Sequence, residues 1–117
     1  MKNYATNSVG NIALNIRKFR DAEEIWFWFL HNRATRTGFC GDKHFSGRPC
    51  SLIDVESRIT RAYLCGKLRD DHLAVIKKFG DIKRAPHQHI FAENRAAVLW
   101  REAMAAMASV MSDWIER

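Results

Sequence analysis

Eight bases lie between residues 58 and 84: Arg58, Arg61, Lys67, Arg69, Lys77, Lys78, Lys83 and Arg84. Three acids, Asp70, Asp71 and Asp81, stand among them, so this stretch holds a net +5 of the chain's formal +6. Lysine and arginine neutralise phosphates, which supplies the sequence-independent part of nucleic-acid binding. All eight are therefore candidate nucleic-acid contacts; a solvated basic face that aids solubility is the alternative. Asp70 and Asp71 fall where a helix is expected to begin, and carboxylates there repel phosphate. Phosphate contacts are accordingly expected from Lys77, Lys78, Lys83 and Arg84. Arg61 lies opposite the apolar stripe of Val55, Ile59 and Ala62, and is the candidate for register or base contact.

Metal and acid–base chemistry have weaker support. Cys40, His44 and Cys50 form C-x3-H-x5-C, and a fourth zinc ligand would have to come from His31, His87 or His89. Structural zinc favours short paired spacings, and there is no C-x2-C pair, so loop thiols beside a surface histidine are the expectation. His87 and His89 flank Gln88 in a polar loop, with neither a metal nor a cofactor expected. Glu23 and Glu24 are adjacent, so on a helix they point to different faces and do not make an acid–base pair. Neither G-x-S-x-G, nor a Walker-type glycine loop, nor H-E-x-x-H occurs. The expectation is a protein without catalysis.

The elements that must position the bases read as helices. Asp21 to about Thr35 begins with acids and ends with bases, as the helix dipole favours. Its run Ile25–Leu30 holds four aromatic rings and is apolar on every side, so it must be covered on more than one side. Trp26, Phe29 and Leu30 are expected against Leu99, Trp100 or Met107. Ser51 and Asp54 resemble a capping box that starts a helix over 52–64. Asp70 to Phe79 follows, with Gly80 as its stop, and a long helix runs from Asn94 to about Glu116 on the stripe Leu99, Trp100, Ala103, Met107, Val110, Met111 and Trp114. A short helix fits 11–19, residues 1–10 are expected to be flexible, and 38–50 and 80–89 read as loops. No segment alternates with period two. The fold expected is all-α, a bundle of four to five helices in one domain over 11–117.

The pair over 52–79 also fits a helix-turn-helix, with Ala62 where the helices touch and Gly66 in the turn. Lys67 and His72 occupy places in that motif that are usually apolar. The composition, 47 % apolar and 27 % charged, is that of a globular chain. No apolar run approaches the ~20 residues of a membrane span, and the first twenty residues lack the apolar core of a secretory signal. Three cysteines without such a signal imply reduced thiols and a cytoplasmic setting.

The strings FRDAEEIWFWFL, RPCSLIDVESRITRAY and LWREAM together resemble a family of small basic bacterial proteins associated with alphaproteobacteria. The likeness spans Phe19 to the end of the chain. It brings no activity with it and implies an ordered single domain in a bacterial cytoplasm. The function expected is that of a small nucleic-acid-binding protein, a DNA-binding regulator or accessory factor. The alternative is a protein–protein adaptor or homodimer joined through the aromatic helix.

Overall fold

The computed structural model describes residues 16–35 and 47–116. Residues 1–10, most of the expected helix over 11–19, and Cys40 and His44 lie outside them. The described chain forms four α-helices: α1 Ala22–Thr35, α2 Leu52–Leu64, α3 Asp70–Asp81 and α4 Asn94–Val110. Two 3-10 turns, Phe91–Glu93 and Ser112–Trp114, precede and follow α4. Among the described residues there is no strand, only an isolated parallel bridge between Phe19 and Ile115. The fold is all-α with a long C-terminal helix. No described helix is long and apolar enough to cross a membrane.

α1 is the central element, and this accounts for its rings. Its start is capped by Asp21, whose carboxylate accepts from the Glu24 N–H at 2.9 Å. Ile25, Trp26 and Phe29 are buried, while Phe27, Trp28 and Leu30 are half-buried against the same core. Successive rings meet different neighbours. Trp26 faces α3, its indole N–H donating to the Ile76 carbonyl at 2.8 Å. Phe27 faces α4, 5.8 Å from the Trp100 ring, and Trp28 lies 5.1 Å from Phe19. The ring that reaches Trp100 is thus Phe27, not Trp26. A continuous aromatic run suits a helix covered from three sides, and each buried ring contributes about 1.5–3 kcal/mol.

α2 starts as its sequence requires. The Ser51 hydroxyl accepts from the Asp54 N–H at 3.1 Å and the Asp54 carboxylate accepts from the Ser51 N–H at 2.9 Å. Val55 and Ala62 turn inward.

Three boundaries differ from the sequence reading. Residues 16–19 are not helical: Phe19 is buried and extended, its N–H donating to the Trp114 carbonyl at 2.8 Å. Gly80 does not stop α3, which continues to Asp81. A Cβ on Gly80 would strike Leu30 and come within 3.0 Å of Trp26 Nε1, so this glycine lets α1 and α3 cross closely. The residue that leaves the helix is Lys83, at φ +64°. α4 ends at Val110 rather than near Glu116, because Met111 turns the chain and Trp114 folds back into the core.

Candidate nucleic-acid interface

The corner between α2 and α3 is tightly specified. Gly66 takes φ +84°, its N–H donates to the Tyr63 carbonyl at 3.1 Å, and the Lys67 N–H donates to the Ala62 carbonyl at 2.9 Å. This pair of bonds satisfies carbonyls left open at the helix end. Leu68 then plugs the corner, 1 % exposed, against a core that includes Ala62. Of the two motif positions that are usually apolar, Lys67 is exposed and His72 is buried. His72 is satisfied on both nitrogens. Nδ1 accepts from the Arg69 N–H at 3.1 Å, so the ring proton sits on Nε2 and meets Glu102 Oε1 at 3.0 Å. The imidazole replaces the usual carboxylate in capping α3 and ties it to α4.

The eight candidate bases divide into two groups. Three are engaged within the fold. Arg58 donates to the Val110 carbonyl at 2.8 Å and to both Asp113 oxygens at 2.8 and 3.2 Å, with its guanidinium 4.1 Å from the Trp114 ring centre. It serves as the C-terminal cap of α4, and its hydrogen bonds to Asp113 hold that carboxyl below the usual range. Arg84 is clamped by Glu93 through bonds of 2.9 and 2.6 Å. Arg69 pairs with Asp71 at 3.3 Å and more loosely with Glu102 at 3.8 Å. Its side chain is exposed, and surface pairs of this kind are worth only about 0–1 kcal/mol.

The other five, Arg61, Lys67, Lys77, Lys78 and Lys83, are exposed and have no acid partner among the described residues. Arg61 and Lys67 border a pocket of about 320 Å³ together with Arg58, Ala62, Cys65 and Val110. Of the three bases around this concavity, Arg58 is held by Asp113, which leaves Arg61 and Lys67 as its unpaired charges. Lys77, Lys78 and Lys83 lie at the opposite end of α3, roughly a dozen ångströms further along its axis. The acids at the start of α3 are held locally: Asp70 accepts from the Tyr63 hydroxyl at 2.8 Å and Asp71 from the His72 N–H at 2.8 Å.

No group of three metal-ligating side chains forms among the described residues. Of the zinc candidates, Cys50 is buried, and burial pushes its thiol up to about 12. His31, His87 and His89 are exposed, and Cys65 is an exposed free thiol.

Phe91, which is 95 % exposed, and the exposed Arg95 at the start of α4 belong to no motif in the sequence. The available signal was an apolar pair, Ile90-Phe91, in a loop with no helical period to bury it. No family model matches the chain, and neither a curated protein nor a solved structure matches it.

Proposed function

We propose that this protein binds nucleic acid without catalysis, through phosphate contacts from Lys67, Lys77, Lys78 and Lys83, with Arg61 for register or base contact. The observation that carries this reading is the division of the bases. Three arginines are paired with acids of the fold, while five bases on the α2–α3 unit stay exposed with no described acid to neutralise them. Unpaired cations on one structural unit favour a polyanion. The corner, with Ala62 at the contact and Gly66 in the turn, favours a helix-turn-helix mode. Asp70 and Asp71 at the N-terminus of α3 disfavour burying that end in a groove. Binding on this reading is dominated by phosphates and works in a bacterial cytoplasm as a DNA regulator or accessory factor.

A salt series on a mixed DNA duplex tests it. Four phosphate contacts give a slope of log affinity against log salt of roughly −3 to −4. Replacing Lys77 and Lys78 by alanine flattens the slope by nearly two units, with similar loss on every sequence. Absence of binding at low salt overturns the reading. An adaptor or homodimer would then have to use the half-buried edges of Phe27, Trp28 and Leu30, since the other rings of α1 are enclosed within the chain.

A further inference from the structure

The loop between α3 and α4 is strapped from within. The Glu93 carboxylate accepts from both Arg84 nitrogens and from the His87 N–H at 2.8 Å. The Asn94 side-chain amide donates to the Gln88 carbonyl at 3.1 Å. The Ile90 N–H donates to the His87 carbonyl at 3.1 Å and the Glu93 N–H to the Ile90 carbonyl at 2.8 Å. On this frame Phe91 is the most exposed large apolar side chain described, at 95 %. A fixed loop therefore presents a bare aromatic ring to solvent.

The chain around the ring is mostly basic. From Ile82 to Arg101 the sole acid is Glu93, and Arg84 neutralises it. Lys83 and Arg95 remain exposed and form no ion pair among the described residues, although Glu102 feels the charge of Arg95. Arg95 follows Phe91 by four positions, across the junction of the 3-10 turn and α4, so both belong to the N-terminal end of that helix. Arg95 also stands in the first turn of α4, where the helix dipole disfavours a base. A partner here must be anionic and must offer flat apolar faces. An unpaired nucleic-acid strand offers both, since its bases stack on aromatic rings while its phosphates meet cations. A duplex hides those faces in its own stack. A lipid surface would call for a broader apolar face than this one ring and the half-exposed Ile82 and Ile90.

Resting on the nucleic-acid reading above, we infer that Phe91 is a stacking platform for an unpaired base, with Lys83 and Arg95 on the adjoining phosphates. The preferred ligand class is then single-stranded nucleic acid.

The test is anisotropy of a labelled oligothymidylate with the wild-type chain and Phe91→Ala, Phe91→Leu and Phe91→Tyr. Phe91 is exposed, so all four proteins should melt together. Ala and Leu should weaken binding about five- to 150-fold while Tyr retains it, because stacking needs a ring and not merely apolar bulk. The salt slope should not change, since no phosphate contact is removed. A matched duplex should lose much less. Wild-type affinity in the Leu variant, or an equal loss on duplex, overturns the stacking role and leaves the phosphate contacts standing. Loss confined to anionic phosphatidylglycerol vesicles overturns it in favour of a lipid surface. If no strand of either kind binds at low salt, the nucleic-acid reading itself fails and stacking fails with it.

Discussion

The corners that close α2 and α3 are built alike and filled differently. After α2, the Gly66 and Lys67 N–H groups donate to Tyr63 and Ala62; after α3, the Lys83 and Arg84 N–H groups donate to Gly80 and Phe79 at 3.1 and 3.2 Å. Both corners need one residue in the left-handed region, at φ +84° and +64°. Glycine meets that need after α2. A lysine meets it after α3, where a side chain costs roughly 1–2 kcal/mol relative to glycine. The glycine of the second corner sits three residues earlier, at Gly80, where it serves contact with α1 instead. One corner is thus optimised for stability, while the other carries strain at a residue that supplies an exposed charge. Strain of that kind is characteristic of functional positions.

Three substitutions and a pH series can break or sharpen the contrast. The largest effect removes the support beneath the second corner. Trp26→Ala deletes a buried ring and its bond to Ile76, and should destabilise by about 3–5 kcal/mol in urea unfolding. Next come the two turn residues, whose effects should have opposite signs. Gly66→Ala should cost roughly 1–2 kcal/mol, purely from backbone conformation, because nothing lies within 4 Å of the new Cβ. Lys83→Gly should stabilise by roughly 0.5–1 kcal/mol, the relieved strain less the added freedom of the unfolded chain. The same change should flatten the salt slope by nearly one unit, so the more stable variant binds less well. Equal signs at the two positions in thermal melts would end the contrast.

The smallest effect concerns the clamp just past the second corner. Arg84, and after it the His87 N–H, hold the Glu93 carboxyl down at about 2. Its folded value lies below its ordinary 4.5, so the clamp stabilises fully above that value and is lost as pH falls through about 2. Melting temperature measured from pH 5 downward should fall less steeply for Glu93→Gln than for the wild-type chain. Parallel curves would mean that the clamp contributes nothing.

Local signals in the sequence were sufficient for most of the fold. Ser51 and Asp54 announced the start of α2, and the acidic–aromatic–basic order of 21–36 announced α1, because caps and dipoles act within one turn. What escaped was set by distant partners. Arg58 reads as a phosphate ligand in sequence, yet its partners Val110 and Asp113 lie more than fifty positions away. Arg84 and Glu93 meet only because the loop folds back. Gly80 read as a stop since the approach of Trp26 and Leu30 from α1 carries no local mark. The overlong reading of α4 has the same origin: the stripe persists through Trp114, while the chain beyond Met111 leaves the helix and Trp114 meets the distant Phe19. For the candidate interface, charge density located the segment. Only the folded chain separated engaged bases from open ones.

The bridge between Phe19 and Ile115 has a kinetic consequence. It joins the two ends of the described chain through backbone bonds of 2.8 Å each, from Phe19 to Trp114 and from Glu116 to Phe19. Two such bonds contribute about 1–3 kcal/mol net. Closing a flexible loop of roughly one hundred residues costs about 4 kcal/mol in chain entropy. The bridge therefore cannot nucleate folding. It zips only after the four helices have already brought its halves together, so it records completed assembly and does not direct it.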